Sequence, residues 1–402
     1  MRLLFIQPGL VPPASDPRRT RFHYLSEVSE GDVLLPVWWD GADKVRADLK
    51  HTFPVHRVGR FSYHMFLFYK LPRIFRKPAV FLWYISRGLE LHHQNKIDVI
   101  VTYGTNAPAV TGTILKWLTG AKLIVEIPGA PENAFRYDKP NAGVAASMKH
   151  FLADLLLQFV GRASDCLKLF YPWQLKEYPS LQRKPTAVFH DFVPVRCVEM
   201  TDAVDQYVLC VGFPWYTKGV DILIRAFTQI APQFPHLKLK LMGHHPDRLF
   251  LEELARGYPQ IEFMGARPNE EALKVIAACM IYVLASRTEA LPWVLLEAMA
   301  GRRPIIASNV GGVAHCITDG DNGLLFSPGN VDELAQKLVQ LLNDAELRER
   351  LGQRGRERVM TEFDELAYAR HFEKMLKSVT TGTLNNSSKV ENEEIVVAPS
   401  EP

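Results

Sequence analysis

The stretch Ser286-Arg-Thr-Glu-Ala-Leu-Pro-Trp-Val-Leu-Leu-Glu-Ala-Met-Ala300 decides how the chain is read. It follows Ile281–Leu284, an apolar run of strand length, and passes at once into the helix-forming Trp293–Ala300. Pro292 suits a first helical position, because the N–H it lacks would have no intrahelical partner. A buried strand feeding directly into a helix is the unit of parallel α/β architecture. Such a helix presents unpaired N–H groups and a partial positive charge at the carboxyl edge of the sheet, a place suited to a pyrophosphate. Glu289 lies just before the helix and Glu297 about one and a half turns into it, so the first faces the mouth and the second reaches sideways. A carboxylate can accept from two vicinal hydroxyls at once, the pair a ribose offers.

The same alternation extends in both directions. Strands are expected near Tyr207–Gly212, Leu237–Met242, Ile261–Met264 and Pro304–Ala307, with helices near Val220–Ile230, Arg248–Gly257 and Glu270–Ala278. In the first half, Arg2–Gln7, Asp98–Val101 and Lys122–Ile127 read as buried strands, and Ala107–Leu118 and Ala145–Val160 as helices. Two further strand-to-helix turns carry candidate ligand groups. Val211-Gly-Phe-Pro-Trp-Tyr-Thr-Lys-Gly-Val-Asp221 sets Lys218 between two glycines, where it can place a point charge on a phosphate. Ser308-Asn-Val-Gly-Gly-Val313 puts Gly311 and Gly312 after a strand, where missing side chains would let a ligand approach.

The chain has 402 residues, 47% apolar and 23% charged, which fits a globular protein of two or three domains. No segment reaches the roughly 20 apolar residues of a membrane span. The start, Met1 to Pro8, reads as a first strand rather than a signal peptide, so a cytoplasmic protein is expected, with peripheral attachment at the inner face of a membrane as an option. Five scattered cysteines without Cys-x-x-Cys spacing indicate neither a disulfide framework nor a zinc site. The net charge of +3 hides an asymmetry: residues 1–200 carry 26 Lys+Arg against 17 Asp+Glu, and the remainder is acidic. Val193–Gln206 is irregular, contains Pro194 and is the candidate linker.

The second half resembles the sugar-nucleotide domain of retaining glycosyltransferases of family 4, which have the GT-B fold. The matching stretches are Gly212 through Ala226, Leu241-Met-Gly243, Phe263-Met-Gly265, Thr288 through Ala300, Gly301-Arg-Arg-Pro-Ile-Ile-Ala-Ser-Asn-Val-Gly-Gly312 and Asp319-Gly-Asp-Asn-Gly-Leu-Leu-Phe-Ser-Pro-Gly329. The family's paired glutamates, seven residues between them, fall on Glu289 and Glu297.

The resemblance implies two Rossmann-like domains facing a cleft: residues 1–195 on the acceptor side, 196–361 binding the sugar nucleotide, 362–378 as a helix crossing back to the first domain, and 379–402 as a disordered tail. It further implies that Glu297 binds the ribose, that Glu289 lies near the donor sugar, and that Lys218 neutralises the diphosphate with help from the Ala290–Leu291 backbone. The catalytic candidates are thus Glu289 and Lys218. The donor-binding set adds Gly212, Phe213, Gly243, Arg267, Ala290, Leu291, Pro292 and Glu297, and the base is expected against loop backbone near Gly243–His245 and Ala266–Arg267. Gly9, Arg21, Pro128 and Gly129 are candidates on the acceptor side or in the donor-facing loops.

Two departures from the family pattern stand out. Phe213 replaces an arginine that usually follows the glycine, and Ile127-Pro128-Gly129 replaces a histidine-glycine turn. Arg18, Arg19 or Arg21 could supply the missing cation, and Glu126 and Glu132 could position acceptor hydroxyls, against the simpler reading of solvated loop charges.

From His56 to Gly88 seven Lys or Arg are interleaved with nine aromatic residues and no acid. That composition suits contact with an anionic membrane surface, or a core cover whose cations snorkel outward. No recognition motif accompanies the charge, so nucleic acid is not expected as a partner.

The reading is a metal-independent retaining glycosyltransferase without a cofactor. Its donor substrate is a UDP-, GDP- or ADP-linked sugar, and its acceptor is a glycan, lipid-linked or small-molecule hydroxyl. A catalytically inactive GT-B binding or scaffold protein and a sugar-nucleotide epimerase of the same fold are the alternatives.

Overall fold

The computed structural model describes residues 1–9, 16–37, 56–67, 71–129, 144–176, 178–244 and 248–383. The first sheet is built from β1 (Arg2–Ile6), β2 (Glu30–Val37), β3 (His56–Val58), β4 (Phe61–Leu67), β5 (Val99–Tyr103), β6 (Lys122–Glu126), β7 (Cys166–Leu169) and β8 (Thr186–Val188), in the order β3-β4-β2-β1-β5-β6-β7-β8. All its pairings are parallel except that of β3 with β4. The second sheet contains β9 (Asp205–Val211), β10 (Lys238–Met242), β11 (Ile261–Gly265), β12 (Cys279–Leu284), β13 (Ile305–Ser308) and β14 (Leu324–Phe326), in the parallel order β11-β10-β9-β12-β13-β14.

Strand β1 shows why the sheets are parallel and covered on both sides. Its run Leu3-Leu4-Phe5-Ile6 is wholly buried, with Leu4 and Ile6 in one core and Leu3 and Phe5 in the other. Only a strand with helices on both faces can be apolar at consecutive positions. In the first domain those helices are α1 (Arg21–Leu25), α2 (Arg73–Gln94), α3 (Ala107–Thr119) and α4 (Val144–Ala163). In the second they are α5 (Val220–Ile230), α6 (Arg248–Leu254), α7 (Asn269–Ala278), α8 (Trp293–Ala300), α9 (Val313–Cys316), α10 (Val331–Asn343) and α11 (Ala345–Glu362), and the last helix among the described residues is α12 (Glu365–Thr381). In each sheet the order reverses beside one strand, β1 or β9, so a crevice opens at its carboxyl end, the position where α/β sheets take ligands.

Helix α12 returns to the first domain. Asp364 caps it, accepting from the Ala367 N–H at 2.7 Å, and Arg196 of the linker donates to the same carboxylate at 3.0 Å. Its inner face, Tyr368, Phe372, Met375, Leu376 and Val379, is buried among first-domain residues that include Phe5, Phe22 and Phe189. The Phe372 and Phe5 rings stack at 5.9 Å. The helix runs past the expected end at 378 to Thr381, and its C-terminus is closed by Gly382 in left-handed geometry. The remaining residues of the expected tail, 384–402, lie outside the described residues.

The basic aromatic region divides on folding. Phe61, Tyr63 and Tyr84 belong to the core, and Phe66 stacks on Trp83 at 5.3 Å, so these rings are not available to a membrane. Phe75 is exposed on the outer face of α2, while Phe68, Tyr69 and Lys70 lie outside the described residues. Among the described residues no helix is long and apolar enough to cross a membrane.

Because Phe372 packs α12 against β1, Phe372→Ala should cost about 3–5 kcal/mol in urea denaturation. A loss below about 1 kcal/mol would show that the returning helix contributes little to the first domain.

Candidate active site

The site forms where the ends of β9 and β12 meet. Gly219, at φ 61°, starts α5, and a Cβ there would fall 1.8 Å from the Ala285 carbonyl oxygen, so only glycine lets this turn touch the end of β12. Two residues that the sequence reading left unassigned then lock the turn to the loop beyond β12. The Arg287 guanidinium forms a two-pronged pair with Asp221 at 2.8 and 2.7 Å and donates to the Tyr216 carbonyl at 2.6 Å. The Arg287 N–H bonds the Thr217 carbonyl at 2.8 Å, and the guanidinium lies 4.0 Å from the Tyr216 ring centroid. Both residues sat inside the quoted motifs, but nothing in either motif alone says that they meet.

This clamp brings Lys218 against Glu289. Lys218 Nζ donates to Glu289 Oε1 at 2.6 Å, and Ser286 Oγ donates to the same oxygen at 2.6 Å. Glu289 Oε2 has no hydrogen-bond partner among the described residues and is left for another donor. Gly212, at φ 150°, lies beneath the lysine stem, where a Cβ would come within 2.9 Å of Lys218 Cε. Phe213, at the position of the expected arginine, is 52% exposed, with its ring 5.7 Å from that of His244. It brings an aromatic face to this edge but no charge.

Glu297 is set apart from that pair. On the first turns of α8 it is only 7% exposed and is hydrogen-bonded by the Asn269 side chain. Burial raises its pKa to about 7, although the Asn269 bond and the nearby Arg19 charge both favour the ionised form. Arg19 comes from the first domain: its guanidinium crosses the cleft to Asn269 Oδ1 at 2.9 Å. Of the three arginines considered as substitute cations, Arg19 is therefore the one that reaches the second domain. Arg18 pairs with Asp16 at 2.8 Å.

Other expected site residues take different roles. Arg21 is buried and already paired, with Glu126 at 2.8 Å and with the Tyr368 hydroxyl at 3.1 Å. Glu126 is fully buried in that pair, and Glu132 lies outside the described residues. Gly9 is wedged against β2, where a Cβ would meet the Pro36 carbonyl at 2.0 Å. Gly311 and Gly312 make room for protein backbone. Their close approach is to the loop of the first glutamate, since a Cβ on Gly311 would lie 1.7 Å from the Glu289 carbonyl oxygen, and the Gly312 N–H bonds the Ala290 carbonyl at 2.8 Å.

The turn Pro128-Gly129 does reach the site from the first domain, as a Cβ on Gly129 would be 2.9 Å from the Ala290 Cβ. Leu291 is buried, and Pro292 is the cap of α8 rather than its first residue. The Gly243 N–H is spent on the Gly265 carbonyl at 3.0 Å, and Arg267 stands half-exposed after β11, 3.9 Å from Glu271. His245 lies outside the described residues.

Residues 201–358 match the family of glycosyl transferases group 1. Over 149 residues the chain is 36% identical to the alpha-D-kanosaminyltransferase of Streptomyces kanamyceticus, a stretch covering 36% of this chain and 39% of that protein. Over 142 residues it is 32% identical to the sulfoquinovosyl transferase SQD2 of Arabidopsis thaliana, covering 35% of this chain and 28% of that protein. The chain thus spans well under half the length of these curated relatives. Among solved structures, sucrose-phosphate synthase from Thermosynechococcus elongatus superposes with a TM-score of 0.77 at 18% identity, covering 95% of this chain and all of that one. HepE of Anabaena in complex with UDP-glucose does so with a TM-score of 0.67 at 17% identity, covering 94% of this chain and all of that one. Residues 201–358 are thus similar to the glycosyl transferases group 1 family, and the chain as a whole shares the GT-B fold of these solved structures.

Proposed function

We propose that this chain transfers a hexose from a nucleotide sugar to a hydroxyl of a glycan, a lipid-linked acceptor or a small molecule, with retention of configuration and without a metal. The observation that carries this reading is the convergence of Lys218, Glu289 and the buried Glu297 at the carboxyl edge of the second sheet, with Arg19 and Gly129 facing them from the first. The solved GT-B relative that holds UDP-glucose supports a nucleotide-sugar donor.

In the free protein Glu289 neutralises Lys218. A donor diphosphate would take over the ammonium together with the N-terminus of α8, leaving the Glu289 carboxylate for a hydroxyl of the hexose. Glu297 would accept from the ribose hydroxyls. As the bond from the sugar's C1 to the diphosphate oxygen breaks, the growing negative charge is stabilised by groups already in place, which is where such an arrangement lowers the barrier. The acceptor oxygen bonds C1 on the same face, and its proton passes to the departing diphosphate oxygen. No protein nucleophile is needed when donor and acceptor are held in contact.

The substitutions Phe213 and Pro128 favour one competing reading, a protein that binds the nucleotide sugar without turnover. Nucleoside diphosphate release, assayed over UDP-, GDP- and ADP-linked sugars with extracted acceptors, separates the two. Binding with no release for any combination would establish the binding protein. Conversion of one donor into another without an acceptor would mark an epimerase, and a product of inverted configuration would rule out the proposed chemistry.

Glu297→Gln should weaken donor binding by about 1–3 kcal/mol through loss of charge-assisted hydrogen bonds; unchanged affinity by calorimetry would remove Glu297 from the ribose site. Lys218→Met, which keeps the stem over Gly212, should lower kcat/KM by roughly 10²–10³. A variant within a factor of about two of the parent would show that the diphosphate is neutralised elsewhere.

A further inference from the structure

Helices α2, α3 and α4 pack side by side over one face of the first sheet and share the core that includes Leu4, Ile6 and Ile100. A surface helix is ordinarily apolar along one stripe only, the one facing the sheet. Helix α4 has that stripe, with Leu157 and Val160 fully buried. It also has a second one on the other side. Met148, Phe151, Leu152, Leu155 and Phe159, spaced three to four residues apart, are all exposed, Met148 and Phe151 by about 60%. They form a ridge roughly 16 Å long.

The ridge continues onto its neighbours. Trp117 and Leu118, at the end of α3, are exposed, and the Trp117 ring meets Phe159 edge-on at 6.1 Å. Val110 and Ile114 on the same helix are half-buried, and beyond them Ile74, Phe75 and Leu82 are exposed on α2. Exposed large apolar side chains therefore run across all three helices, where a freely soluble surface would carry charges.

The charges that are present have one dominant sign. Across α2, α3 and α4 there are seven Lys or Arg and two acidic residues. Both acids are engaged: Glu90 pairs with Arg87 at 2.6 Å, and Asp154 accepts from the Tyr178 hydroxyl at 2.9 Å. Asp165, just past α4, takes up Lys116 at 2.7 Å. Lys77 and Arg162 are exposed beside the apolar ridge.

We infer that the outer face of the α2–α3–α4 layer is a docking surface for an anionic phospholipid bilayer, the ridge entering the acyl boundary while the cations meet the headgroups. An apolar face flanked by Lys and Arg and lacking free carboxylates is the composition that lies in such an interface. The surface differs from the His56–Gly88 region read from the sequence. Its centre is α4, and most of the aromatic residues of β4 and of the inner side of α2 are core. The inference does not depend on the proposed reaction, because it concerns a face of the first sheet rather than the crevice at its edge.

The test is cosedimentation of the full chain with vesicles of phosphatidylcholine, with and without phosphatidylglycerol, at low and high salt. The chain should sediment with the phosphatidylglycerol vesicles at low salt and less at high salt. The double variant F151S/L155S should bind roughly tenfold less, because it removes apolar area from the ridge. Both side chains are already exposed, so its thermal melt should match the parent, while Leu249→Ser, at an exposed leucine of the second domain, should bind as the parent does. Failure to bind phosphatidylglycerol vesicles at low salt, or equal binding by the double variant, would overturn the proposal. So would a chain that stays off vesicles but forms a dimer that F151S/L155S dissociates, since the ridge would then seat a second copy.

Discussion

The pairing of Arg287 with Asp221 is the constraint on which the rest of the site depends. Lys218 and Glu289 lie on different loops, 71 residues apart, and neither loop has regular structure to hold it. Arg287 supplies that order, with two bonds to a carboxylate on α5, two to the backbone of the lysine turn, and a ring beneath its plane. The Thr217 bond comes from the Arg287 backbone N–H, and a planar guanidinium can satisfy the Asp221 carboxylate, the Tyr216 carbonyl and the Tyr216 ring at once, which an ammonium on a flexible stem cannot. Fixing both loops in advance means that a diphosphate entering the crevice meets charges already in position, with little reorganisation left to oppose it.

A second level of order comes from glycines that let backbones touch. Gly219 brings the lysine turn to Ala285, Gly311 and Gly312 support the Glu289–Ala290 loop from below, and Gly129 brings the first domain to Ala290. The two domains therefore meet at the loop that carries the first glutamate. Arg19 adds a polar contact nearby, reaching Asn269 and through it Glu297, so a cation of the first domain acts on the carboxylate of the second. A ligand bound to Glu297 would feel both domains.

Much of this was legible in the sequence, for reasons that differ from place to place. The second domain alternates short apolar runs with amphipathic helices, and Val220–Ile230 and Trp293–Ala300 emerge with the expected bounds. Lys218 and Glu289 stand out because they lie after strand ends within recognisable turns, and Glu297 because it follows Glu289 by eight positions inside the helix that the turn opens. Strand β4 and helix α2 are hard to read because their aromatic and basic residues obscure the period that separates strand from helix, and β2 because Gly31, Asp32 and Pro36 interrupt its apolar run. Arg21 looked like a free loop cation, since its partners Glu126 and Tyr368 are 105 and 347 residues away. The Gly311-Gly312 pair is a related case. Sequence shows that a close approach is allowed there, but only the fold shows that the Glu289 loop makes it. The exposed ridge of α4 was invisible, because periodicity alone cannot say which of two apolar faces is turned inward.

The central claim is that Glu297 binds the donor as a carboxylate although burial holds its pKa near 7 in the free protein. Its ordinary value is 4.5, so in the free folded state the carboxyl remains largely protonated as pH rises from about 5 until it approaches 7. Hydrogen bonds donated by ribose hydroxyls favour the ionised form, so donor binding must pull the pKa down and release a proton in that window. The direct measurement is calorimetric titration of the parent and of Glu297→Gln with whichever of UDP-, GDP- or ADP-glucose binds, from about pH 5.5 to 8 in buffers of different ionisation enthalpy. The account predicts affinity that strengthens as pH rises towards 7 and then levels, with proton release in the parent and none in the variant. Affinity independent of pH in the parent, or the same profile in both proteins, would contradict it.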